Sequence, residues 1–264
     1  MFMKYLILLA ICISCGGSSG GKNDSTDSNR DPSIPSCKAS SCTNKRELKT
    51  FDQALSFYES IAPKESPIGE QIVLKGTQLH KINYQNNKFD CELKQTRTET
   101  LLGRDANWMY IEEKMEVILT EGASAECESL ARDSTWYVKM STTDPLDDTA
   151  EAERSFNELL ANGGKMFQVN YKNYQAMLTE GTIKQTEQDT GEEITGSFIF
   201  ISSPSLGDLS SELFSSQVTK MGDDYEFQST IEFNSISRVE INDFDPADYQ
   251  WVESSSELLD QKSF

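Results

Sequence analysis

Cysteine thiols and a single histidine are the side chains of this chain with the most distinctive chemistry. The 264 residues contain six cysteines and one histidine, His80. Cys12 and Cys15 lie at the end of an apolar N-terminal run, and the other four cysteines lie further along the chain. A thiol can be acylated, oxidised to a disulfide or bound to a metal, and its position in the chain decides which of these to expect.

The first 14 residues have the composition of an export signal. Lys4 supplies one positive charge, and the apolar residues 5–13 follow it. This apolar run is too short to span a bilayer, which takes roughly 20 residues. We therefore predict a signal peptide at residues 1–14 and export of the remaining chain.

The cysteine that ends this signal lies in a recognisable setting. Residues 12–16 read CISCG, which resembles the lipobox of bacterial lipoproteins. The resemblance implies that Cys15 is acylated, becomes the first residue of the mature chain and attaches it to a lipid bilayer. The −3 position departs from the pattern, since Cys12 stands where leucine is usual. Cys12 is itself the poorer acylation site, because the bulky Ile11 precedes it.

Two alternatives to lipidation stay open. One is an ordinary secretory signal cleaved near Ser14 or Gly17, and the other is an apolar N-terminus that is not cleaved. Lipidation and secretion both place the mature chain outside the cytoplasm, in the cell envelope. Gly16 follows the modified cysteine, and resemblance to enterobacterial lipoprotein sorting makes this residue favour the outer membrane.

Residues 15–36 are predicted to be the lipidated cysteine and a flexible tether. From residue 16 to residue 36 the only aliphatic side chain beyond glycine and proline is Ile34. Such a segment buries too little apolar surface to offset the entropy lost on ordering. We expect the folded part to begin at Cys37.

Two disulfides are predicted among Cys37, Cys42, Cys91 and Cys127. An even number of cysteines in an exported chain is typical of disulfides. Four cysteines allow three pairings, and we favour Cys37 with Cys42 and Cys91 with Cys127. The second pair would join strands at either end of a hairpin-like segment. A zinc site is the alternative, but a C-x₄-C spacing and one distant histidine make a poor ligand set.

The motifs of common enzymes are missing from the sequence. His80 is in phase with Ile82 and Tyr84 in an alternating pattern, which favours a packed or hydrogen-bonded histidine within a strand. No nucleophile elbow, P-loop, dinucleotide-binding glycine pattern or H-E-x-x-H sequence occurs. We therefore predict no catalytic residue, no cofactor and no metal site, and a protein that is not an enzyme.

Carboxylates are abundant and leave two alternatives open. Two clusters, at 144–148 and at 243–248, each contain three aspartates. Neither has the spacing of an EF-hand loop, although calcium binding at either remains an alternative. Paired carboxylates could also serve a hydrolase.

The charge of the chain excludes some partners. Its formal net charge is −19 at pH 7. Nucleic-acid binding needs lysine and arginine to neutralise phosphates, and anionic lipid surfaces attract polybasic segments. We therefore predict no nucleic-acid partner, and membrane contact through the lipid anchor alone.

Two main helices are predicted from capping residues and apolar spacing. The first spans 45–61, with Asn44 as N-cap and Glu47 at N3. The second spans 149–162, with Asp148 as cap and a stop at Gly163 and Gly164. Leu206, Leu209 and Leu213 fit a further short helix.

Most of the remaining residues alternate between apolar and polar, as half-buried antiparallel strands do. Asn86 and Asn87 fit a tight turn between strands at 78–85 and 88–97. The order of elements favours an α+β fold with a large antiparallel sheet, meander-type and curved or sandwich-like, with the helices on its concave face. We expect one β-rich globular domain at 37–264, with a possible subdivision near 145–165.

Three functions follow as hypotheses. The first is a membrane-anchored envelope lipoprotein with a noncatalytic binding or assembly domain, whose partner is an envelope protein. The second is a carrier or chaperone for an apolar ligand, since the expected architecture resembles the half-barrels of LolA and LolB. The third is a carboxylate-dependent hydrolase.

Overall fold

A computed structural model describes most of the chain from Cys42 to Glu253. The described residues are 42–61, 66–84, 87–121, 124–141, 149–186, 193–206, 209, 212–221, 225–240 and 252–253. Within them, no helix is long and apolar enough to cross a membrane.

Eleven strands of the described chain belong to one sheet. Their bounds are β1 Cys42–Glu47, β2 Glu70–Tyr84, β3 Asn87–Arg104, β4 Trp108–Glu121, β5 Ser134–Ser141, β6 Lys165–Tyr171, β7 Tyr174–Thr186, β8 Glu193–Ser202, β9 Glu212–Met221, β10 Tyr225–Glu240 and β11 Val252–Glu253.

The sheet consists of two meanders that are joined edge to edge. β2 to β5 form the first meander and β6 to β10 the second, and β10 pairs with β2 in a long antiparallel ladder. β1 pairs antiparallel with β6 at one outer edge, and the two-residue β11 pairs parallel with β5 at the other. The predicted α+β class with a large antiparallel sheet is confirmed.

Three helices accompany the sheet in the described residues: α1 Phe51–Ile61, α2 Ala125–Leu130 and α3 Thr149–Ala161. The predicted second helix is confirmed as α3, and its proposed cap Asp148 lies outside the described residues. It ends as the glycines predict. Gly163 has a φ of +79°, its N–H donates to Leu160 at 3.0 Å and that of Gly164 donates to Leu159 at 2.9 Å. This is the Schellman arrangement, which satisfies carbonyls that the helix leaves without partners.

The predicted start of the first helix is wrong. Asn44 and Glu47 belong to β1, and α1 begins only at Phe51. Thr50 is the residue that caps it, because its hydroxyl accepts the N–H of Gln53 at 3.3 Å. The Gln53 side chain in turn accepts the N–H of Lys49 at 2.8 Å. Residues 42–47 pair instead with the edge of β6, a long-range partner that the local capping pattern does not reveal.

Two smaller expectations also change. Tyr84 is paired with Asn87, so the first hairpin connection is residues 85–86, one residue earlier than predicted. The predicted short helix through Leu206, Leu209 and Leu213 is wrong at both ends: Leu206 belongs to a 3₁₀ turn over Pro204–Leu206, and Leu213 lies in β9.

The two faces of the sheet are defined by which residues pair across strands, since directly opposite residues share a face. We call the face that carries Ile72, Leu74 and Leu93 the front face. α1 and α3 pack on its β6–β8 part, against Met166, Met177 and Phe200. α2 packs on its β3–β4 part, against Cys91, Leu93 and Val117.

The opposite, back face is the one towards which the β6 end of the sheet curls. Four strand spacings separate β6 from β10, about 19 Å in a flat sheet. Yet Tyr171 donates to Glu232 at 3.0 Å over the back face, and Lys172 donates to the Phe233 carbonyl at 2.8 Å. The expectation that the helices occupy the concave face is therefore wrong here, because α1 and α3 pack on the front face.

Candidate binding surface

Two of the predicted disulfide cysteines are joined in the described structure. Cys91 and Cys127 form a disulfide with a Cα–Cα distance of 5.4 Å, and both are buried. This pairing is confirmed, but Cys127 lies in α2, so the bond joins a strand to a helix and not two strands. Cys42 is disulfide-bonded as well. Cys37, its predicted partner, and Cys15 lie outside the described residues.

His80 is packed within the sheet, as its phase in the strand predicts. It is 5% exposed, and its ring stacks on Phe227 with 5.3 Å between the ring centroids. Its Nδ1 has no hydrogen-bond partner in the described part of the chain. Burial lowers the pKa of His80 from 6.5 to about 4, because a desolvated imidazole resists protonation. The imidazole is therefore neutral near pH 7.

This lowered pKa predicts a loss of stability in mild acid. The unfolded chain binds a proton at His80 near pH 6.5 and the folded chain only near pH 4, so acidification through this window favours unfolding. We expect the free energy of unfolding to fall by about 2 kcal/mol between pH 7 and pH 5 on account of this one group. Urea unfolding at both pH values should show this loss in the wild type and lack it in His80→Gln. Equal pH dependence of the two proteins would contradict the prediction.

A cluster of ionic side chains crosses the front face between two apolar clusters. The Arg97 guanidinium lies 2.7 Å from Glu99, 3.2 Å from Glu113 and 3.2 Å from Glu212. All four side chains are at most 17% exposed. One cation thus neutralises part of the charge of three carboxylates, which makes Arg97 the centre of a structural network.

The acidic clusters at 144–148 and 243–248 lie outside the described residues. In the part of the chain that the structure describes, no group of three or more His, Cys, Asp or Glu side chains is arranged to hold a metal ion.

The front face has a distinctive surface at one end of the sheet, which we call the distal end. The connections β2–β3, β7–β8 and β9–β10 all lie there. Three rows of five paired residues cross β8, β9, β10, β2 and β3 at this end, and none is charged at pH 7. The outermost row is Ile194, Met221, Tyr225, Tyr84 and Asn87; the second is Gly196, Thr219, Phe227, Ile82 and Phe89; the third is Phe198, Gln217, Ser229, His80 and Cys91.

These fifteen residues, the distal surface, are only partly covered by the described chain. Tyr84 in the outermost row is 49% exposed, and Gln217 in the third row is exposed as well. The other residues of the two outer rows are mostly half-buried. Tyr84 and Tyr225 contact each other edge to face at 6.4 Å. The back face at the same end carries ion pairs instead, such as Lys220 with Glu226. An uncharged, aromatic surface on so acidic a chain is typical of a contact site.

Both ends of the described chain lie far from the distal surface. Cys42 pairs with Tyr171, beside the β6–β7 turn, and Val252 pairs with Val138 near the same end of the sheet. β7 runs the length between the two ends, from Tyr174 to Thr186, about 40 Å at the rise of a strand. Cys42 and Val252 are therefore separated from the distal surface by most of the length of the sheet.

The sequence alone did not reveal this surface. Each of its residues belongs to an ordinary alternating strand, and only the pairing of β10 with β2 brings Tyr84 beside Tyr225. The one local signal was the run of uncharged residues on the alternate positions 80, 82 and 84.

Comparison with known proteins adds no family to this description: no family model, no curated protein and no solved structure matches the chain significantly.

Proposed function

We propose that this protein is a membrane-anchored envelope lipoprotein whose folded domain is a noncatalytic binding module. The anchor is the acylated Cys15, residues 16–36 are the tether, and the distal surface is the contact site. The observation that carries the binding role is the uncharged, partly exposed distal surface, with Tyr84 at 49% exposure.

The disulfides of the described chain support export. Disulfides persist in oxidising compartments, and the buried bond between Cys91 and Cys127 is accompanied by a disulfide at Cys42. A flexible tether at residues 16–36 would have a typical reach of about 25 Å, enough to hold the domain clear of lipid headgroups. Because Cys42 lies at the end of the sheet opposite to the distal surface, a tether on that side would leave the distal surface facing away from the membrane, towards other envelope components.

Replacing Cys15 tests the anchor. Cys15→Ala should remove the acylation site, so the protein should leave the membrane fraction or accumulate as precursor, whereas the wild type partitions into detergent. Metabolic labelling with a fatty acid should mark the wild type and not the variant.

Cys12→Ala is the matched control for this experiment. It removes a thiol three residues earlier and should leave both partitioning and labelling unchanged. Membrane attachment of Cys15→Ala, or its loss in Cys12→Ala, would refute the assignment of Cys15.

The half-buried apolar side chains of the distal surface also favour the second function, a carrier for an apolar ligand. A fluorescent fatty acid distinguishes the two. A carrier should bind it stoichiometrically at micromolar concentration, and Phe227→Ser should weaken that binding, whereas a module for a protein partner should bind it weakly and nonspecifically.

A further inference from the structure

We infer that the distal surface binds one amphipathic helix of a partner protein, with the helix lying between α2 and α3 and carrying basic residues on its outer side. This inference rests on the proposed binding role and not on the proposed anchor. It names the kind of partner that the surface fits.

The floor of the site is the part of the distal surface between the two helices. Gln217 and Ser229 lie at its centre in the third row. Thr219 and Phe227 lie beside them in the second row, nearer the distal end. Gln217 is exposed and the other three are half-buried, so the floor is open to solvent in the described structure. It offers the Phe227 ring and the Thr219 methyl group beside hydroxyl and amide groups, and it carries no charge. This suits the uncharged side of an amphipathic helix on which apolar residues contact Phe227 and small polar residues contact Gln217 and Ser229.

This floor is flanked by two helices, α3 and α2. On one side Leu159 of α3 lies over Gly181. A Cβ added to Gly181 would lie 3.4 Å from the Leu159 Cδ1. On the other side the disulfide holds Cys127 of α2 over Cys91. The strands between Gly181 and Cys91 number four, β8, β9, β10 and β2, so about 24 Å of sheet separates the two boundaries.

The width of the gap selects the occupant. A helix is about 10 Å in diameter, so half a helix on each side leaves about 14 Å free. Packed helices lie 8–10 Å apart. A third helix placed midway would lie at least about 12 Å from each neighbour, so it would lie on the floor without packing tightly against α2 or α3. One helix therefore fits, whereas a single acyl chain would leave most of the floor in water.

His80 supplies an independent sign of an incomplete site. It lies in the third row, is 5% exposed, and its Nδ1 has no hydrogen-bond partner among the described residues. A buried polar atom without a partner is costly. A polar side chain from the docked helix would satisfy it if the Phe227 ring that stacks on His80 moved aside.

Other occupants fit less well. Glu240 and Glu253 both lie near the end of the sheet opposite to the distal surface, so the chain that follows each of them starts far from the floor. A second copy is obstructed because α2 and α3 of both copies would hold the two floors about 20 Å apart, whereas packed sheets lie about 10 Å apart. Each copy also carries a net charge of −19.

That charge favours a basic partner. A strongly acidic protein attracts cationic segments over long distances, while the uncharged floor avoids burying an ion. The apolar side of the helix thus contacts the floor, and its basic side faces water and the acidic surroundings.

The probe for this inference is an 18-residue peptide of leucine and lysine with leucines at helical spacing. A scrambled peptide of identical composition and charge serves as the first control. The full chain is titrated into each labelled peptide, in neutral-lipid nanodiscs if it partitions into lipid and in buffer if it does not. The outcome therefore does not depend on the anchor. We expect the helical peptide to bind at least tenfold more tightly than the scrambled one.

Matched pairs of variants locate the binding. Gln217→Arg places a cation on the floor, and Ile118→Arg makes a similar change in charge at a 64% exposed position of the back face. We expect the first to weaken binding at least tenfold and the second to change it less than twofold. A second pair is Tyr84→Ser on the front face and Leu79→Ser on the back face. The two side chains are 49% and 43% exposed, so both changes leave the core intact.

Each remaining outcome overturns the inference. No binding by the wild type, equal affinity for both peptides, or equal effects within both pairs of variants would refute a helix site on this floor. A dimer that Gln217→Arg dissociates would assign the floor to a second copy. Sedimentation with phosphatidylcholine vesicles that Gln217→Arg abolishes would assign it to a lipid surface.

Discussion

Arg97→Met should lower the free energy of unfolding by about 3 to 5 kcal/mol, the range measured when one partner of a buried ionic network is removed. Methionine keeps much of the length and apolar stem of the side chain but leaves Glu99, Glu113 and Glu212 without the cation that they share. Of the three, Glu99 costs the most free energy to leave without the cation, because its side chain is only 3% exposed. Urea unfolding at pH 7 measures the change.

Glu113→Gln is the matched control for the network. It removes one of the three negative charges and leaves Arg97 paired with two carboxylates, so we expect a change within about 1 kcal/mol. If Arg97→Met cost no more than Glu113→Gln, the guanidinium would not hold the network together.

Removing the disulfide between Cys91 and Cys127 should have a comparable effect. The bond closes a loop with a sequence separation of 36 residues. In the chain-entropy model, opening a loop of this size lowers the free energy of unfolding by about 4 kcal/mol, because the unfolded chain regains freedom. The double variant Cys91→Ala, Cys127→Ala should therefore melt at a clearly lower temperature than the oxidised wild type.

The disulfide at Cys42 requires its own control. Reductant should lower the melting temperature of the wild type, and it should lower that of the double variant only by the contribution of the remaining disulfide. An unchanged melting temperature in the double variant under oxidising conditions would contradict the prediction.

Local signals sufficed where an element is determined by its own residues. α3 shows this, because Phe156 and Ala152 provide the apolar stripe and Gly163 provides the positive φ that ends the helix. The short helix α2 also had a local signal that we missed, since the Ser124 hydroxyl caps it by accepting the N–H of Cys127.

Local signals failed where a distant strand decides the outcome. Residues 42–47 carry a capping pattern, but they gain backbone hydrogen bonds along the edge of β6. Gly76 shows how a partner strand restricts a residue type. A Cβ at this position would collide with the Glu232 carbonyl oxygen, beside the irregularity in β10, so glycine is required for the two strands to pair there.

The sequence left three pairings of the four cysteines open, and the tertiary structure joins Cys91 to Cys127. The sequence by itself determined the class of the fold, the alternation of wet and buried strand residues and the second helix. All of these depend on periodicity, caps or composition, which neighbouring residues carry. Only the tertiary structure decided that two meanders join through β10 and β2, that Arg97 gathers three glutamates, and that Tyr84, Phe227 and Gln217 share one surface. Such contacts join residues far apart in the chain, and strand order, which no local pattern encodes, determines which of them meet.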